Sequence, residues 1–231
     1  MPAKNTATAV NILIISYFTI ALTEVVSELV VYQPLIYFSR IATPILLIVL
    51  YKLNSERQNP FFYLLVTLML ATNVIFIDKE SPYLPIGTVI SILEKLIMLV
   101  FITQLMTEKK YLHVTLAAIP FLLIFFYLNS ITNGFAEIGS CTVFAQSVMV
   151  SIIGGFSLAG YLKNDNRQNS WLLISTLLFV GLQFVTFIER YYSSIISVTV
   201  FTPIALVLNA FGFFTFYKFV VAAERKDKHY L

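Results

Sequence analysis

Six stretches of this chain run for about 20 residues or longer without a charged side chain: 5–23, 58–77, 111–136, 138–162, 168–188 and 191–217. A helix rising about 1.5 Å per residue crosses about 30 Å of hydrocarbon in about 20 residues. Lipid offers exposed peptide groups no partner, so such runs must close their hydrogen bonds internally, as helices do. Two further stretches are apolar apart from isolated charges: 35–52 carries Arg40, and 83–106 carries Glu94 and Lys95. The pattern predicts an all-α membrane protein, a bundle of about eight transmembrane helices. They are expected near 9–28, 35–52, 60–77, 83–106, 111–131, 138–162, 169–188 and 194–221, in one integral membrane domain over 1–231. Composition agrees, with 58% hydrophobic and 12% charged residues, against about 45–50% and about 25% in soluble domains. Short polar breaks such as Asn54-Ser55-Glu56-Arg57 and Lys163-Asn164-Asp165-Asn166-Arg167 separate the runs and leave no room for a soluble domain.

Eight spans put both termini on one side. Eleven of the fifteen Lys and Arg residues fall on that side, three (Arg40, Lys79, Arg190) on the other, and Lys95 within the membrane. By the positive-inside rule both termini are cytoplasmic. Dropping the span at 35–52 would leave the same charge imbalance, and it is the unbroken apolar run from Ile41 to Tyr51 that decides for eight. No small-residue cleavage site precedes Glu24, so the first apolar stretch is expected to be a retained helix. The expected setting is a bacterial cytoplasmic membrane. A net charge of +3 is too small to point to nucleic acid. Cys141 is the sole cysteine, and with His113 and His229 it cannot form a structural His/Cys metal cage, so no metal and no cofactor are expected.

Polar residues inside the spans fall at uneven depth. Glu24 and Glu28 lie in the outer part of the first helix, with Arg40, Asn73, Gln146 and Gln183 in the outer parts of the second, third, sixth and seventh. Glu94 and Lys95 sit near the middle of the fourth. Intramembrane charges are rare away from bundle interiors and wet cavities, so these side chains are expected to converge on one cavity open to the outer leaflet. The plainer alternatives stay open: Glu24 and Glu28 marking the water boundary, and the amides as interhelical glue. Adjacent residues on a helix point about 100° apart, so Glu94 and Lys95 are each expected to need a partner from another helix. Ser151, Gly155 and Ala159 form a small-residue stripe suited to close helix packing, within the bundle rather than in a dimer. Lys218, near the basic end of the last helix, reads as a snorkelling side chain.

Thr43-Pro44-Ile45-Leu46-Leu47, Leu68-Met69-Leu70-Ala71-Thr72-Asn73 and Leu177-Leu178-Phe179-Val180-Gly181-Leu182-Gln183 resemble segments of the YhhN-type lysoplasmalogenase family, whose eight-helix pattern extends over most of the chain. The resemblance implies hydrolysis of the vinyl-ether bond of a lysolipid, which needs a proton donor for the alkene carbon and then water. Family members carry Gly-Asp on the third helix and Ser-Asp on the seventh. Here Thr72-Asn73 and Leu182-Gln183 stand there, and an amide cannot supply the proton. Glu94 is then the first candidate acid and Glu24 the second, with Asn73, Gln183, Lys95, Arg40 and Gln146 as candidate substrate-binding residues. Membrane lipids are the expected partners, and a membrane-protein partner or homo-oligomer stays open. The competing expectation is a non-enzymatic bundle serving lipid binding or transport, or acting as a subunit of a membrane complex.

Overall fold

A computed structural model describes residues 2–78, 82–106, 111–131, 138–191 and 195–226. These form eight helices: α1 Pro2–Val30, α2 Gln33–Asn54, α3 Pro60–Ile75, α4 Leu84–Leu105, α5 Tyr111–Ile131, α6 Ile138–Lys163, α7 Arg167–Tyr191 and α8 Ile195–Lys226. Among the described residues there is no strand. Seven helices are long and apolar enough to cross a membrane. The exception is α3, expected to run to 77. It has 16 residues, or about 24 Å of rise, because Phe76 and Ile77 leave the helix in a turn.

Proline sits in the first turn of α2, α3 and α4, where its missing N–H costs nothing. Asn59 caps α3 by accepting from Phe61 N at 3.0 Å. The end of α1 is built less comfortably. Tyr32 N donates to Ser27 O at 3.0 Å and Val31 N to Glu28 O at 3.3 Å, the paired bonds of a Schellman motif. Its left-handed position, usually glycine, is held by Val31 at φ 57°, where a β-branched side chain is strained.

Helix neighbours close a ring in the order α1, α2, α3, α4, α6, α7, α8 and back to α1, while α8 also reaches across to α2 and α4. α5 stands outside this ring and packs on α6. The contact with α6 is close. A Cβ added to Gly155 would lie 2.5 Å from Val114 O and 2.8 Å from Ala118 Cβ, so the small-residue stripe meets α5 inside the bundle. Elsewhere α5 presents Leu112, Leu116, Leu123, Phe126 and Tyr127 outward, each more than half exposed. An exposed apolar face of this extent is what a helix that crosses a membrane or meets another protein presents.

The core lies toward the end that holds the start of α1 and the end of α8, where Tyr51, Phe62, Phe101, Phe216, Tyr217 and Phe219 are buried between α2, α3, α4 and α8. Polar bonds close that end. Asn54 Nδ2 donates to Tyr217 Oη at 2.7 Å, and Arg225 donates to Asn54 Oδ1 at 3.0 Å. Hence the α2–α3 loop and the end of α8 share one face of the bundle, here called the basic end.

Candidate functional site

Arg40, on α2 at the end opposite the basic one, is 5% exposed. Its Nη2 donates to Glu28 Oε2 at 3.2 Å, its Nη1 to Asn73 O at 3.4 Å, and its Nε lies 3.4 Å from Glu24 Oε1 as an ion pair without hydrogen-bond alignment. Two carboxylates one turn apart on α1 thus share one guanidinium from α2. This is what a charge withdrawn from water needs, and Arg40 does not snorkel outward. Pro44 adds a second demand. It has no N–H, so the carbonyl four residues earlier, that of Arg40, lacks its helical donor. Asn73 Nδ2 donates to that carbonyl, at a long 3.5 Å.

Glu94 and Lys95 on α4 are 2% and 8% exposed. They pair with each other, contrary to the expectation that neighbours on one helix would point apart: the long lysine stem curls its ammonium back to Glu94 Oε1. The other carboxylate oxygen accepts from Thr72 Oγ1 of α3 at 3.4 Å. Lys95 Nζ stands 5.1 Å from the ring centre of Phe179 and 5.7 Å from that of Phe213, so α7 and α8 supply its remaining partners through their aromatic faces.

The other candidates join helices in pairs. Gln183 Nε2 on α7 donates to Ser147 Oγ at 3.2 Å and to Val143 O at 3.5 Å on α6. Gln146 Nε2 on α6 donates to Thr88 O on α4 at 3.4 Å. The sequence-derived site is therefore several separate contacts: Glu24, Glu28, Arg40 and Asn73 in one; Thr72, Glu94 and Lys95 in the next; and the two glutamines as links. The expected convergence on one outer cavity is not what the side chains form.

Two cavities lie at the basic end, and none of the candidate residues lines either. The larger, about 730 Å³, is a cleft between α5 and α6. Its walls include Leu116, Ala117, Pro120, Phe156 and Ala159, and its rim carries His113, Lys163, Asn164 and Asn169. It adjoins the Gly155 contact between α5 and α6. The smaller, about 330 Å³, lies between the ends of α2 and α8 and the start of α7. The α6–α7 loop and the start of α7 separate them, and Asn166 and Gln168 line both. That loop is braced by Asn169 Nδ2, which donates to Gly160 O and Asn164 O, both at 2.8 Å.

Glu224 is the functional-looking group that sequence reasoning missed. It is 5% exposed, accepting from Tyr51 Oη at 2.5 Å and from Ser55 Oγ at 2.6 Å. Those hydroxyls in turn accept from Asn59 N at 2.8 Å and Gln58 N at 2.9 Å, which pins the α2–α3 loop onto α8. Lying in Glu224-Arg225-Lys226, it reads in sequence as part of a solvated charged tail. The available signal was the tyrosine and serine four residues apart at the end of α2.

Metal ligation has no support among the described residues, where no group of three His, Cys, Asp or Glu side chains gathers. No family model matches the chain, and neither does any curated protein or solved structure. Among the described residues the fold is all-helical, with seven helices long and apolar enough to span a membrane.

Proposed function

We propose that this is a multi-pass membrane protein that binds a single-chain amphiphile in the α5–α6 cleft, with its basic end in the cytoplasm of a bacterial cell. The observation that carries this reading is the cleft itself. At about 730 Å³ it falls within the roughly 300–1,000 Å³ of small-molecule sites. Its walls suit an acyl chain, and its polar rim suits a head group. The resemblance to YhhN-type lysoplasmalogenases makes a lysolipid the natural ligand class. Binding without hydrolysis is the preferred form of the reading, because Glu94 and Glu24, the candidate acids, line neither described cavity and are held in ion pairs.

Lipid mass spectrometry on the purified protein tests this. A single-chain lipid should co-purify with the parent protein and be lost from Ala159→Phe, which fills the cleft wall. Incubation with a lysoplasmalogen should release no fatty aldehyde. Equal lipid in parent and variant would remove the cleft as the site. Aldehyde release abolished by Glu94→Gln would replace the binding reading with the hydrolase.

A further inference from the structure

Lys218, Val221, Ala222 and Arg225 occupy positions i, i+3, i+4 and i+7 of α8, and so form one stripe along the helix. All four line the smaller cavity, of about 330 Å³. Facing them from the first turns of α7 are Arg167, Gln168 and Trp171. Three cations from two helices therefore surround one space, and among the described residues no carboxylate lines it. The nearest acid in sequence, Glu224, is engaged by Tyr51 and Ser55.

Two of the three cations are held in place. Arg225 spends one N–H on Asn54 Oδ1 at 3.0 Å, and a guanidinium carries five donors, so a fork remains for a ligand. Lys218 Nζ stands 5.4 Å from the Phe214 ring centre and 5.7 Å from that of Tyr217. The cavity also sits at the start of α7, where the helix dipole presents its positive end. Among the described residues these three like charges have no counter-charge in the cavity lining, so they repel one another, and an anion seated among them turns that repulsion into attraction.

We propose that this cavity binds a phosphate group, with Arg167, Lys218 and Arg225 as its charged partners. Basic pockets between helix ends at a membrane surface are suited to anionic lipid head groups. Val221, Ala222 and the indole of Trp171 give the cavity an apolar wall against which the lipid body can lie. The same three cations would also accept free inorganic phosphate. The site lies across the α6–α7 loop from the amphiphile cleft and does not depend on it.

Trp171 is the only tryptophan in the chain, so its emission reports on this cavity alone. The protein is placed in phosphatidylcholine nanodiscs containing a rising fraction of phosphatidylglycerol. Emission should change saturably, and Arg167→Gln and Lys218→Met should each raise the half-saturating fraction about fivefold, the usual effect of one cation at a lipid surface. Lys52→Gln, at the same end but outside the cavity, should shift it by less than about twofold. An equal shift in all three variants would reduce the effect to diffuse surface charge and overturn the proposal, as would a parent that responds neither to phosphatidylglycerol nor to inorganic phosphate. Adding inorganic phosphate to discs of pure phosphatidylcholine separates the sources. A response there that Arg167→Gln abolishes supports the site with free phosphate as its ligand, and no response leaves the lipid. Should Lys218→Met fail to fold, Arg167→Gln on an exposed helix end carries the same comparison. Ala159→Phe, which fills only the neighbouring cleft, should leave the Trp171 response unchanged.

Discussion

Glu94 shows what one residue can contribute inside a bundle of this kind. Its carboxylate balances Lys95, whose other contacts are the faces of Phe179 and Phe213. Replacing it by Gln keeps the shape and the Thr72 hydrogen bond but strands a buried cation. Glu94→Gln should therefore lose about 3–5 kcal/mol of stability, as broken buried pairs do. The double variant Glu94→Gln/Lys95→Met should recover most of that loss. Thermal unfolding in detergent reads both, and equal stability of parent and Glu94→Gln would show that the pair carries no weight. Asn73 allows a second test. It donates to a carbonyl that Pro44 leaves open, and an ionised carboxylate has no proton to donate. Asn73→Asp should destabilise by about 1–3 kcal/mol, the cost of an unsatisfied buried acceptor. Asn73→Asp in a Pro44→Ala background, where the helical bond is restored, should cost measurably less. The sequence placed Glu94, Lys95, Asn73 and Arg40 within spans, because charge and amide content can be counted along a run. It could not show that the lysine turns back on its neighbour, since rotamers answer to packing from α7 and α8.

At the scale of the element, the apolar runs marked every helix, and most ends fell within a few residues of the breaks. The widest departures are the start of α1, at Pro2 against an expected 9, and the end of α8, at Lys226 against an expected 221; α3 stops two residues short of 77, where Phe76 and Ile77 are as apolar as the helix before them, so hydropathy carried no stop signal. The end of α1 was equally silent. A Schellman turn is announced in sequence by glycine, and here Val31 holds the left-handed position. That substitution has a measurable consequence. Val31→Gly removes the Cβ penalty of about 1–2 kcal/mol, offset in part by glycine's greater freedom in the unfolded chain. A net gain of about 0.5–1 kcal/mol is expected in thermal unfolding, against a Val31→Ala control that stays in the strained region. A loss of stability in Val31→Gly would mean that the valine side chain makes contacts worth more than the strain.

For the whole molecule, hydropathy gives the number of helices but not their order in space. The ring of seven with α5 outside depends on which faces carry small residues. Only the stripe through Gly155 hinted that α6 would take α5 against its backbone. For the same reason the polar layer was legible residue by residue, while the position of the cavities was not. Both open at the basic end because α5 leans on α6 from outside the ring, and because α7 and α8 bring cations to the same face. Everything proposed for these cavities depends on which leaflet that face meets. The eleven cations that the sequence assigns to that side predict the cytoplasmic leaflet. In a Cys141→Ser background, a single cysteine at Tyr32, exposed in the α1–α2 turn, should react with an impermeant thiol reagent added to intact cells. One at Asn164, in the exposed α6–α7 loop beside both cavities, should react only after the membrane is opened. Asn133, the other natural probe of the outer side, lies outside the described residues, which makes Tyr32 the better reporter. The reverse labelling would put the phosphate site and the amphiphile cleft at the outer leaflet. The ligands would then have to come from outside the cell, while the helix packing and the side-chain contacts would stand unchanged.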